Sequence, residues 1–179
     1  VEIAEDVKNA GGWIAKLREV KNVKLSNEVS SNQLLLVGSY NSMVDVLKKT
    51  GVQAGHLNQF KAFEGVLEHG AALTVPLRGS TAEFGSEHWK FHEVLERFWS
   101  NYRGATKLPT VGQYNEALGE SLRATGRFSE DQIDVIRQLA NSELEAAYRA
   151  KGLQFTPQSP VVKVPRPFPM AKPPCSTKP

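Results

Sequence analysis

The sequence predicts an α+β domain, mainly helical, with a small β element in its middle and a proline-rich C-terminal tail. Three observations predict it. Thr110 with Gln113, and Ser129 with Gln132, form two capping boxes, each opening a run of apolar residues at helical spacing. Residues 73–77, Leu-Thr-Val-Pro-Leu, read as a short strand. Eight of the ten prolines lie in residues 157–179, and a segment so poor in amide donors is extended rather than helical.

The elements follow in order. Residues 4–20 read as a helix weakened by Gly11-Gly12. Residues 42–49 read as a short helix ending at Gly51, and residues 52–59 as a strand-like loop, polar apart from Leu57. Pro76 has no N–H to give to a ladder, so residues 73–77 are expected at a sheet edge. Residues 79–85 form a loop, and Ser86 caps a helix running to about Tyr102. The Thr110 helix carries Tyr114, Leu118 and Leu122 and stops at Gly126. The Ser129 helix carries Ile133, Ile136, Leu139, Ala140, Leu144 and Tyr148 and stops near Gly152. Residues 157–179 are either a solvated tail or a strap docking through Val161, Val162, Val164 and Phe168. The expected division is a helical segment at 1–47, a domain at 48–156 and the tail.

Composition narrows the function classes. Apolar residues make up 40% of the 179, enough for a core. The longest apolar run, Leu34-Leu35-Leu36-Val37, falls far short of the ~20 residues of a membrane helix, so no membrane segment is expected. The net charge of +3 lies in the tail. Four basic residues there (Lys163, Arg166, Lys172, Lys178) face no acids, which leaves 18 basic against 19 acidic residues in 1–156, a net of −1. A single cysteine, Cys175, excludes an intramolecular disulfide and a Cys-based zinc cluster. The acidic opening from Val1 is unlike a signal peptide, and the chain reads as part of a longer protein.

All four histidines fall in or near the middle of the chain. His88 and His92 are four apart on a predicted helix, so both project from one face at the border of the stripe Phe91, Val94, Leu95, Phe98 and Tyr102. Two imidazoles at that spacing can bind one divalent metal, or can simply border the core. Zincin protease chemistry is excluded, because Trp89 stands where HExxH needs Glu. His56, in Val52-Gln53-Ala54-Gly55-His56-Leu57-Asn58-Gln59, is a surface histidine or a general base. His69 reads as the end of a helix, where a protonated ring would meet the dipole.

Taken together, a histidine in a strand-like loop, a short strand, a loop and a helix with HxxxH resemble the ββα-metal (His-Me finger) motif of the HNH/endonuclease VII superfamily. More narrowly, Gln53-Ala54-Gly55-His56-Leu57-Asn58-Gln59 followed by Gly85-Ser86-Glu87-His88-Trp89-Lys90-Phe91-His92 is similar to the HNH-type nuclease domains of bacterial polymorphic toxins, the AHH and GHH subgroups among them. The resemblance covers roughly 48–152. It implies a ββα-metal core embedded in helices, with His56 as general base and His88 and His92 holding one divalent cation: Mg2+ first, with Mn2+, Zn2+ or Ni2+ as alternatives. It puts Asn58 in the catalytic group and Gln59 on the substrate, with Arg78 and Lys90 in a phosphate-facing patch joined by Arg97, Arg103 and Lys107. Many members carry a liganding histidine directly before the base, where this chain has Gly55; Asn58, Glu83, Glu87, water or phosphate oxygens are then the remaining ligands. The implied function is a metal-dependent, largely non-specific DNA endonuclease. It would be a toxin domain delivered by a bacterial secretion system into a target cell's cytoplasm and neutralised by a cognate immunity protein. An RNase with the same site and a non-catalytic metal-binding module are the rival readings.

Overall fold

The computed structural model describes residues 23–26 and 35–174. The helix expected at 4–20 and Cys175 lie outside the described residues. The chain is α+β and mainly helical. Four strands, β1 (Val23–Ser26), β2 (Leu35–Ser39), β3 (Val52–His56) and β4 (Leu73–Arg78), form an antiparallel sheet in the order β1-β2-β4-β3. Among the described residues the α-helices are α1 (Tyr40–Leu47), α2 (Glu87–Ser100), α3 (Val111–Ala124) and α4 (Glu130–Ala150).

β4 is an inner strand, which corrects its expected place at an edge. β2 pairs with β4 only at Gly38↔Thr74 and Ser39↔Leu73, so Pro76 lies outside the paired stretch. The proline therefore interrupts no ladder on that side. On its other side β4 runs against all of β3, from Val52↔Arg78 to His56↔Thr74. β2 and α1 thus belong to the same sheet layer as β3 and β4, and Val37 joins the common core.

The helices form where local chemistry directs them. Ser86 accepts from Trp89 N at 3.1 Å and donates to the Ser80 carbonyl at 2.8 Å, fixing both the start of α2 and the loop before it. Both predicted capping boxes are present, at Thr110 for α3 and Ser129 for α4. α2 buries His88, Phe91, His92, Leu95 and Trp99, one stripe at 3.6-residue period. That stripe meets Phe63, Tyr114 and Leu118, with Ile133, Ile136 and Leu144 of α4 in the same core.

The proline-rich segment is a strap. The Ser159 and Pro157 carbonyls accept from Val111 N and Gly112 N, two of the orphan donors at the start of α3. Gly112 permits this approach, since a Cβ there would stand 2.9 Å from the Pro157 oxygen. Val161 is buried in the core and Val164 is half-buried, while Val162 is exposed. Polyproline backbone carries little conformational freedom to lose, so a strap of this composition docks at small entropic cost. From Lys163 onward it runs from Ala62 in the β3–β4 connection to Thr81 beyond β4.

Candidate active site

β3, β4 and α2 bring three of the four histidines together, and the β3–β4 connection supplies the fourth. His56 ends β3, and His88 and His92 face it from α2. His69 lies in a turn of the connection, not at a helix end as expected, so no helix dipole acts on it. All four line one cavity of about 510 Å³ together with Gln53, Tyr40 and Phe168. A second cavity of about 780 Å³ shares His56, His69, His92 and Phe168 with it.

Obligate donors and acceptors fix the protons on two rings. His56 Nε2 lies 3.2 Å from the His69 carbonyl. A carbonyl only accepts, so Nε2 carries the proton and Nδ1 presents a lone pair. Tyr40 stacks on the same ring, centroids 4.7 Å apart and nearly parallel, and the His69 ring packs at 4.7 Å. His92 is set by a relay. The Trp99 indole N–H can only donate and does so to Gln59 Oε1. This turns Gln59 Nε2 toward His92 Nδ1, at 3.4 Å, and leaves the His92 proton on Nε2. His88 Nδ1 pairs with Gln53 Oε1 at 2.9 Å, and the ring also bonds to the Gly79 backbone.

Burial keeps the rings neutral. Desolvation lowers the His56 pKa below 6.5, partly offset by the His69 carbonyl and reinforced by the charge of the His69 ring. The same desolvation pushes His88 down to about 4 and His92 down to about 3, with neighbouring histidines adding to both. Neutral imidazoles are what a general base and metal ligands require.

Several expected site residues stand elsewhere. Asn58 is 1% exposed and turns into the helical layer, its Nδ2 donating to the Ala140 carbonyl at 2.8 Å and to Glu143 Oε2 at 2.9 Å. It holds a half-buried carboxylate rather than a substrate. Gln59 is at the site but buried, its amide spent on Trp99 and His92 and its backbone N–H donating to the Tyr114 hydroxyl at 2.8 Å. It orients a ring rather than meeting the substrate. Arg78 ends β4, and its backbone N–H donates to Glu87. Lys90 is exposed on α2, midway between His88 and His92 in sequence and so on the opposite side of the helix from both. Arg97 pairs with Glu93 and Arg103 with Glu96. The cations that line the larger cavity are instead Lys61, Lys163 and Arg166.

Gly55 has a packing reason. A Cβ there would stand 2.5 Å from Leu77 Cδ1, in the fully buried core. A histidine at this position would enter the core beneath the sheet, on the side opposite His56. Of the other expected donors, Glu87 pairs with Arg127 at 2.9 Å and Asn58 is turned away.

For a divalent cation these residues offer at most two imidazoles, and His92 as it stands has no free lone pair, its Nδ1 taken by Gln59 and its Nε2 protonated. The His88 and His92 rings are 5.0 Å apart and tilted by 42°. His88 has the acceptor behind Nδ1 that a ligating imidazole uses, while His92 has a donor there. Among the described residues no group of three His, Cys, Asp or Glu is placed to hold a metal, so water or substrate oxygens complete any shell.

Tyr40, His69 and Phe168 went unrecognised as site residues. Tyr40 sits at the first turn of α1 and Phe168 in the strap, and their contacts with the cluster are set by tertiary packing without a local signal. No helix of the described residues is long and apolar enough to cross a membrane. No protein-family model, no curated protein and no solved structure matches this chain.

Proposed function

We propose that this chain is a metal-dependent, largely non-specific DNA endonuclease, and that it acts as an antibacterial toxin domain countered by an immunity protein. The observation that carries the proposal is the convergence of all four histidines on one cavity, with His56 presenting a lone pair on Nδ1. The succession of a β3–β4 hairpin and α2 supports the ββα-metal reading. The toxin role, delivery by a bacterial secretion system and action in the target cytoplasm rest on the likeness of the histidine motifs to polymorphic-toxin nucleases.

In this reading His56 Nδ1 removes a proton from the attacking water, and the His69 carbonyl and Tyr40 hold the ring in place for it. His88 would hold the cation, joined by His92 once its Nδ1 is released from Gln59, and the cation when bound would supply charge stabilisation at the phosphate and the leaving oxygen. Lys163 and Arg166 set positive charge beside the path of the phosphodiester.

Plasmid DNA incubated with the full chain and Mg2+ or Mn2+ tests the proposal. Cleavage is expected, with loss in EDTA and a drop of about 100-fold or more for His56→Ala. Cleavage that survives His56→Ala overturns the assignment of the base. Cleavage that survives EDTA overturns the metal.

A further inference from the structure

The strap leaves an aromatic ring in the site that the hydrolysis does not use. Phe168 stacks on His92, ring centroids 4.4 Å apart and 14° from parallel. It is 41% exposed although one face is covered, so its other face and edge are open. It also lines both cavities, which meet along His56, His69 and His92.

The ring is held in place on both sides. Before it, Arg103 Nε donates to the Pro165 carbonyl at 3.1 Å and Lys163 N to the Ala62 carbonyl at 3.2 Å. After it, Ala171 N donates to the Thr81 carbonyl at 2.9 Å, and Trp89 Nε1 donates to the Ala171 carbonyl at 2.9 Å. Prolines at 165, 167 and 169 stiffen the stretch between these anchors. A segment pinned this way is a fixed wall of the site and not a plug that swings out.

The charges beside the ring complement a phosphate. Glu64 is matched by Lys61 and Lys163, and Glu96 by Arg103. That leaves Arg166, which has no partner among the described residues, on the wall of the larger cavity. An open aromatic face two residues from an unpaired guanidinium suits a flat ring joined to an anion. Two cavities meeting at the histidines suit a chain that runs past them.

We propose that Phe168 is a stacking platform for an unpaired nucleobase, with Arg166 on the adjacent phosphate, so that the site takes single-stranded nucleic acid. This rests on the nuclease reading and names the substrate form of that site. A base buried in a duplex has no free face to give Phe168, so a duplex must open locally to engage it.

The test is fluorescence polarisation of a labelled ten-nucleotide oligo-dT and of a duplex of equal length, with the full chain in EDTA so that nothing is cleaved. The wild-type chain is expected to bind the single strand more tightly than the duplex. Phe168→Ala is expected to weaken single-strand binding about 5- to 100-fold, Phe168→Trp to retain it, and Arg166→Gln to flatten its salt dependence. Phe168 is exposed, and melting curves verify that the variants fold. Single-strand binding by Phe168→Ala within twofold of wild type, or tighter, overturns the platform while leaving the nuclease reading in place. Equal binding of duplex and single strand overturns the preference for unpaired bases. A wild-type chain that binds neither overturns the nuclease reading itself.

Discussion

The Trp99 indole and the His69 carbonyl each have a single hydrogen-bonding role, and through them two imidazoles acquire defined tautomers. For His56 the result is an imidazole with its lone pair on Nδ1 and a pKa held below 6.5, chiefly by burial, fit to act as the base of the proposed hydrolysis. A general base works when neutral, so activity is present above its folded-state pKa and is lost as pH falls through it. The acid limb of kcat/KM is therefore expected to have its midpoint below pH 6.5, and a midpoint above 7 would contradict the assignment. Asn58 makes the opposite case. Its position in the motif places it with the catalytic group, yet its side chain supports Glu143, whose pKa burial raises and whose other oxygen accepts from Leu73 N at 2.6 Å. Asn58→Ala should then cost about 1–3 kcal/mol of stability by removing a buried partner, read as a lower Tm, while cleavage per folded molecule stays within a few-fold. Loss of cleavage at full stability would return Asn58 to the chemistry. The HxxxH pair was legible because helical spacing alone puts i and i+4 on one face. The direction of Asn58 was not, because it depends on a helix more than eighty residues away.

The elements most clearly written in the sequence are those whose ends are fixed by neighbours in the chain. The boxes at Thr110 and Ser129 and the cap at Ser86 each join residues three apart, and each is present. The strand order was harder to read, because β4 acquires two neighbours, β2 and β3, that both precede it in sequence, and it pairs with β2 across α1 and β3. The turn holding His69 was misjudged for a similar reason: residues 57–72 take their shape from the sheet and from α4 rather than from a period of their own. Ser86 has the largest consequence for the site. Its hydroxyl caps α2 and ties the cap to Ser80, two residues before the first site histidine. Ser86→Ala is expected to cost about 1 kcal/mol and to loosen the first turn, which carries His88. Hydrogen exchange at the amides of Glu87 to Lys90 should rise more than exchange in α3 and α4. A uniform rise across all three helices would mean that the cap stabilises the fold as a whole and does not position the site.

At the scale of the whole molecule, the net charge of +3 belongs to the segment that straps the site, and this changes what the strap is for. Two of the cations expected around the motif, Arg97 and Arg103, are paired with acids of α2, whereas those on the cavity wall come from the β3–β4 connection and the strap. The tail was read as either solvated or docked because proline content fixes its backbone form but not its contacts. Its contacts now divide it into two parts with separable effects. The first part belongs to the fold: Val161 is buried, Ser159 and Pro157 serve the start of α3, and the Tyr148 hydroxyl donates to the Pro160 carbonyl at 2.9 Å. Burial of one valine is worth about 1.5–3 kcal/mol, so a chain ending at Thr156 should melt roughly 3–12 °C lower in scanning calorimetry. The second part, from Arg166 to Ala171, adds one exposed ring and one unpaired cation to the site and little to the core. A chain ending at Pro165 should therefore lose only about 2–4 °C, yet lose single-strand affinity as Phe168→Ala does. If both truncations melt alike, the strap is one cooperative unit, and its site portion cannot be separated from the fold.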